Sequence, residues 1–290
     1  NIFTDLAGNI MLDTIYHTSD MRKRSVILPG ISFSYKNNSI VEFYANAVEN
    51  YRAINFSDIQ IRNLGVVVDP EIEDESGLNI DFGFRRNGQR ISFDISAFML
   101  KYTNKIGVYP TVIDDPVFGE KPVFLRSNVS DARTIGLEGL TSYTIYTKAQ
   151  TSLNILISAS VMRGKYIGGD NSIFTDNEIE NIPNGTFRSV LTYVRNKTKT
   201  SVQWNWVASQ FTDATNSTYD PNAVYGEIPS YSILDFSFNY SYNKNFSIAL
   251  KFNNLLNKFY FTRRASGYPG PGIIPSDGRN IRLSLVFNNL

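Results

Sequence analysis

The side chains best suited to chemistry in this sequence are arginines in or next to its irregular stretches. Arg52, Arg126, Arg133, Arg263, Arg264 and Arg279, with Arg62 beside them, lie between patterned segments or at their ends. A guanidinium donates bidentately to carboxylates and phosphates, so such a set can hold an anionic ligand without reacting with it. Arg263 and Arg264 stand out. Tyr260, Tyr268 and the Pro/Gly-rich run from Gly267 to Gly272 would stiffen the chain around them. The plainer alternative is that several of these arginines pair with loop acids or with anionic lipopolysaccharide.

No residues complete a catalytic arrangement. Asp81, Asp94, Glu138 and Asp235 fall on separate patterned segments, without the partner motif of a glycosidase pair. They read as polar lining, paired with Arg85, Lys251 or Arg282. His17 is the single histidine and has no cysteine near it, so it reads as a solvated loop residue, not a metal ligand. The acidic run Glu71, Glu73, Asp74 and Glu75 lacks the glycine turn and ligand spacing of a calcium loop and reads as a solvated approach to a strand. Nucleophile elbow, phosphate loop, HExxH and dinucleotide fingerprint are all missing. The expectation is a binding protein that is not an enzyme, with no catalytic residues, no metal ligands and no cofactor.

Bulk properties narrow the class. Lys and Arg total 28 against 27 Asp and Glu, so the basic excess of a nucleic-acid binder is absent. There is no cysteine to form disulfides or thiolate sites. Aromatic residues reach 13% while all hydrophobic residues make up 42%, which suits sheets with one apolar face. No apolar run is long enough for a transmembrane helix, yet a transmembrane barrel needs none. The chain opens on Asn1 with neither Met nor a signal segment, as expected of a mature product or a fragment.

The elements that must position the arginines are strands. From Ile31 onward apolar residues recur at every second position: Ile31, Phe33, Tyr35, then Leu78, Ile80, Phe82, Phe84, and at the end Ile281, Leu283, Leu285, Phe287. Short turns interrupt the pattern at 37–39, 86–89, 147–150, 196–199 and 243–245, with Asn87-Gly88 the strongest hairpin signal. Irregular stretches separate the hairpins at about 50–74, 104–130, 165–184, 212–228 and after Phe252, and 1–25 reads as loop. The result is about eleven strands joined alternately by tight turns and long loops, the asymmetry of an outer-membrane barrel. Tyr35, Tyr102, Trp204, Tyr240, Tyr242 and Phe259 sit near strand ends, as interfacial girdles require. Bacterial barrels have even strand counts, so a count near eleven predicts that more strands lie outside this chain.

Several stretches carry a family resemblance: ENYRAINFSD at 49–58, GVVVDPEIEDESGLNIDFGFRR at 65–86, NLLNKFYFTRR at 254–264 and GYPGPGIIPSDGR at 267–279. Together they resemble TonB-dependent outer-membrane receptors, and the last two look most like the ferric-citrate branch found in Bacteroidetes. One departure is the ending Asn288, Asn289, Leu290, where such barrels usually close on an aromatic residue. The resemblance implies an all-β transmembrane antiparallel barrel of about 22 strands. Residues 1–290 would be its C-terminal portion, and the plug and first half would lie elsewhere. It further implies an outer-membrane receptor that binds an iron chelate, ferric citrate or a siderophore, and imports it by TonB-driven plug gating. Partners would be the chelate, the TonB complex acting through the missing plug, and outer-membrane lipid and lipopolysaccharide, with no nucleic acid. Alternatives are import of a cobalamin or an oligosaccharide, a barrel scaffold in a larger complex, a passive pore, or a soluble β-rich domain.

Overall fold

Strict alternation of apolar and polar residues produces one continuous antiparallel meander. The computed structural model describes the chain apart from residues 1, 5–9, 14–23, 38–39, 60–65, 116–118, 169–173, 222, 266–271 and 288–290. His17, Arg62, most of the 267–272 run and the terminal Asn288 to Leu290 therefore lie outside the described residues. Eleven strands follow one another in sequence order: β1 (Gly30–Asn37), β2 (Val41–Arg52), β3 (Glu75–Asn87), β4 (Ile91–Asp115), β5 (Gly119–Lys148), β6 (Thr151–Gly168), β7 (Gly185–Arg195), β8 (Thr198–Val207), β9 (Tyr231–Ser241), β10 (Phe246–Asn253) and β11 (Asn280–Phe287). Val66–Val68 adds a short parallel pairing beside β5. Among the described residues β1 and β11 each pair on one side only, so the sheet is an open part of a barrel wall.

The register carries the dyad pattern across the whole sheet. One cross-strand row runs Ile91, Tyr143, Ile155, Leu191, Val202, Phe236, Phe252, Ile281, with one residue from each of eight strands, all apolar. A second runs Ile31, Ala47, Ile80, Met99, Ile135 from β1 to β5. A single-residue slip in any pairing would break these rows. Exposed hydrophobics concentrate on this face, Phe33, Phe82, Leu137, Val161 and Leu283 among them, as a lipid-facing wall requires. The opposite face is polar: the row Ser34, Tyr44, Gly83, Ser96, Glu138, Ser160, Thr186 crosses β1 to β7.

Two regions expected to be loop are strand. Ile2–Thr4 pairs with Ile10–Asp13 in a short hairpin within 1–25. The 104–130 region is no irregular loop, because β4 and β5 run on for 25 and 30 residues and stay paired out to Asp115 and Gly119. Its β-branched and aromatic content, Ile106, Val108, Tyr109, Val112, Val123 and Phe124, sustains the pairing. Beyond the alternating wall these arms bury a face against the neighbouring connections. Val129, Ala132, Tyr166, Phe174, Ile179 and Ala214 form the buried cluster there, with Tyr102, Tyr109 and Ile182 packed on it. Tyr102, placed in an interfacial girdle by sequence, belongs to this cluster and shares the polar-side face with Phe98 and Leu100.

Candidate functional site

The polar wall is built from short hydrogen bonds between strands. Asp94 accepts from the Tyr44 hydroxyl at 2.8 Å and from Arg85 Nε at 2.7 Å, and Arg85 also approaches Glu42 at 3.6 Å. Asn46 donates to Asp81 at 2.8 Å, Ser96 to Glu138 at 3.2 Å, and Ser160 meets Thr186 at 2.7 Å. Tyr44 lies flat against the sheet because its cross-strand neighbour is Gly83. A Cβ there would come within 2.2 Å of the Tyr44 ring. In front of this wall is a cavity of about 610 Å³ lined by Tyr44, Asp81, Phe98, Tyr102, Glu138, Met162 and the segment Asn181 to Pro183.

That segment belongs to a connection folded back over the polar face. Tyr166 donates to Glu180 at 2.6 Å, and the backbone amides of Asp176 and Ile179 bond the carbonyls of Tyr166 and Gly164. Burial pushes the Glu180 carboxyl above its ordinary range, and the Tyr166 hydroxyl pulls the other way without prevailing. Asn216, at φ 57°, clasps the backbone of Glu178 in both directions, accepting at 2.7 Å and donating at 2.8 Å. Asp213 is fully buried and turns one carboxylate oxygen to Thr215 and Ser217, leaving the other without a partner among the described residues. No periodic pattern marks this layer, since it is held by side-chain contacts between irregular segments, Tyr166 to Glu180 over 14 positions and Asn216 to Glu178 over 38.

The arginines divide into those already engaged and those free to meet a ligand. Arg52 holds Asp58 at 2.7 Å and Glu75 at 2.8 Å, and Arg126 donates to the Asp58 carbonyl at 3.4 Å. Both thus converge on the single helical turn Phe56–Ile59. Arg264, in the short hairpin Phe261–Ala265/Gly272–Pro275, donates to the carbonyls of Ala223 at 2.8 Å and Glu227 at 2.7 Å and lies over the Phe261 ring. Burial lowers its pKa. Arg133 is a correction of another kind: it shares the apolar face with Ile135 and Leu137, away from the polar wall. Arg263 and Arg279 are exposed, and their guanidinium groups have no partner among the described residues. The same hairpin walls an aromatic cavity of about 340 Å³ with Tyr231, Phe259, Tyr260, Phe261 and Ile273, of which Arg263 is not a lining residue.

The carboxylates also depart from expectation. Among the described residues, only Asp94 of the four lining acids pairs with an arginine. Asp81 and Glu138 accept from Asn46 and Ser96, and Asp235 accepts from the Asn254 amide at 2.8 Å. Lys251 and Arg282 are opposite each other in the register. The acidic run is solvated at Glu71 and Glu73, which are exposed, but its second half is a clasp. Glu75 is buried and accepts from Arg52 and the Ile106 amide, while Asp74 binds Arg24 at 2.6 Å, the Ile54 amide at 2.8 Å and the Tyr51 hydroxyl. Arg24 beside it holds the Asp74 carboxyl well below the usual carboxylate range, against an opposing contribution from burial. No group of three or more metal-ligating side chains occurs among the described residues.

Known proteins share this architecture. The fold matches the ferric citrate transporter FecA in its unliganded form with a TM-score of 0.69 and 17% identity, over 90% of this chain and 38% of that one. It matches the ferric yersiniabactin uptake receptor FyuA from Yersinia pestis with a TM-score of 0.69 and 15% identity, over 91% and 37%. The siderophore receptor PiuA from Acinetobacter baumannii gives 0.67 and 18%, over 89% and 35%. At such identities the likeness is one of fold, and the chain spans little more than a third of each of these receptors. No curated protein matches the sequence. The family model described as TonB dependent receptor-like, beta-barrel, matches residues 5–255, and with that match the chain belongs to the TonB-dependent receptor β-barrel family.

Proposed function

We propose that residues 1–290 form the C-terminal portion of the barrel of a TonB-dependent import receptor in the Gram-negative outer membrane, and that its cargo is an iron chelate, ferric citrate or a siderophore. The observation that carries this reading is the segregation of faces. Eleven strands hold one apolar wall and one polar wall in register, with every long connection at the same end. An apolar exterior suits lipid, a hydrogen-bonded interior suits aqueous passage, and the long connections suit capture outside. Binding and gated passage need no chemistry from the protein, only selective contacts and a path. TonB would act through a plug contributed from outside this chain. The iron chelate is favoured by the exposed cations Arg263 and Arg279 in the last long connection, which can pair with an anionic chelator. Equilibrium binding of ferric citrate, a ferric siderophore and cobalamin to the purified complete receptor tests it. Submicromolar binding of either iron chelate supports the reading, and binding of cobalamin alone overturns the cargo assignment.

A further inference from the structure

The layer folded over the polar wall encloses two acids that no cation answers. A Cβ on Gly107 of β4 would fall 2.8 Å from Glu180 Oε1 and 3.0 Å from the Tyr166 hydroxyl, so the Glu180 carboxyl lies directly on the β4 backbone. One residue further along β4, the Val108 carbonyl accepts from the Ala214 amide at 3.3 Å, which seats Asp213 close by. The Asn181 amide donates to the Phe211 carbonyl at 2.8 Å, and the Asn177 side chain donates to the Ala214 carbonyl at 2.9 Å. Stretches 177–181 and 211–216 are thus laced side by side across 107–108, and Glu180 and Asp213 fall within the lacing.

A buried carboxylate is costly unless hydrogen bonds or a cation offset it. Asp213 meets half of that need, because its Oδ1 accepts from the Thr215 amide at 3.0 Å, from the Ser217 hydroxyl at 3.2 Å and from the Thr215 hydroxyl. Its Oδ2 has no partner among the described residues, although the residue is fully buried. Neither acid forms an ion pair among the described residues. Lys105, whose charge reaches Glu180, is held 3.7 Å from Glu75 and over the Tyr102 ring. Arg126, whose charge reaches Tyr225, grips the Asp58 carbonyl. Burial, and with it the Asp213 charge, lifts the Glu180 carboxyl, so the pair is short of positive charge.

We propose that Glu180 and Asp213 bind a calcium ion, which ties the connection after β6 to the connection after β8. Two acids are fewer than the side-chain set of a transition-metal site, so carbonyl and amide oxygens of the two laced stretches complete the shell. Calcium accepts such oxygens in flexible geometry, whereas magnesium demands a strict octahedron and keeps its waters, which a closed layer has little room for. The proton that Glu180 holds without the ion leaves to solvent when calcium enters, so binding tightens as pH rises. The inference is independent of which cargo the receptor carries.

The test uses the complete receptor in detergent, wild type and with Glu180→Gln or Asp213→Asn made singly. Both changes keep the present hydrogen bonds, since Gln still accepts from Tyr166 and Asn from Thr215 and Ser217. Terbium(III), a calcium surrogate excited through nearby tyrosine, is titrated first and then displaced with calcium or magnesium. Hydrogen exchange at the Asp176 and Ile179 amides, which bond to Tyr166 and Gly164, is followed alongside as a local readout. Wild type is expected to show tyrosine-sensitised emission that calcium displaces and equal magnesium does not, and at least tenfold slower exchange at those amides with calcium. Each variant should bind calcium at least tenfold more weakly and lose the effect on exchange. Equal calcium affinity in wild type and Glu180→Gln would assign the emission to surface acids and overturns the inference, as does wild-type exchange that calcium leaves unchanged. Displacement by magnesium as effective as by calcium overturns the choice of ion. If Asp213→Asn does not fold, Glu180→Gln decides by the same criteria.

Discussion

Tyr166 donates its hydroxyl to Glu180 at 2.6 Å within the layer folded over the polar wall. Because burial raises the Glu180 pKa, the folded layer keeps its proton at pH values where the unfolded chain, at the ordinary 4.5, has lost it. The stability contributed by this group is therefore full below the ordinary value and falls as pH rises towards the folded pKa. Hydrogen exchange at the Asp176 and Ile179 amides should accelerate over that window in wild type. Glu180→Gln should flatten the dependence, and an unchanged slope in that variant would assign the effect to another group.

Gly83 makes room for Tyr44. Gly83→Ala places a methyl group inside the tyrosine ring, and moving the ring breaks its 2.8 Å bond to Asp94. A loss of about 1 to 3 kcal/mol is expected, the usual cost of overpacking. Adding Tyr44→Ala to the same variant should recover part of it, measured by thermal unfolding in detergent. Wild-type stability for Gly83→Ala alone would show that the ring relocates freely.

On the apolar wall, Phe236 is paired with Val202 and Phe252. Phe236→Lys should cost about 2 to 4 kcal/mol if this row lies near the bilayer midplane. Thr192→Lys, on the polar wall between Asn154 and Ser201, should cost far less. Folding yields into lipid vesicles measure the contrast, and equal yields would remove the distinction between the walls.

The adjacent arginines of the last outer hairpin should behave differently. Arg264→Ala strands two carbonyls that it now satisfies, so proteolysis within 218–228 should increase, with a local cost of about 1 to 3 kcal/mol for each unmet acceptor. Arg263→Ala should leave proteolysis unchanged and weaken ferric citrate binding by about 1.5 to 3 kcal/mol, the range for a hydrogen bond to a charged group. Ferric citrate binding unaffected by Arg263→Ala would exclude that guanidinium from the cargo site.

Much of the wall was legible because lipid and water impose a period of two. The alternation of Leu78, Ile80, Phe82 and Phe84 and the Asn87-Gly88 turn located β3 and its hairpin to within a residue or two. Legibility ended where the strands leave the lipid. The outer arms of β4 and β5 contain Pro110, Pro122, Gly107 and Gly119, and their buried faces are dictated by loops, so no simple alternation marks them. The fate of the arginines was illegible for a related reason. Arg264 satisfies backbone carbonyls 41 and 37 positions away, and any residue type can offer a carbonyl. Arg133 went astray by parity alone: its place two residues before Ile135 assigns it to the lipid side.

The engaged arginines also give the capture end a mechanical character. Arg52 and Arg126 grip the turn at Asp58, Phe124 stacks on Tyr225 with centroids 3.9 Å apart, and Arg264 grips the backbone on either side of that tyrosine. Burial pushes the Tyr225 hydroxyl up to about 12, with Arg126 opposing the shift, so that link stays uncharged at physiological pH. The connections after β2, β8 and β10 and the outer arm of β5 are therefore buckled end to end like sections of a hoop. A push on the last hairpin is passed along the circumference to the turn at Asp58, so a load on one connection would be shared around the rim instead of stopping where it is applied.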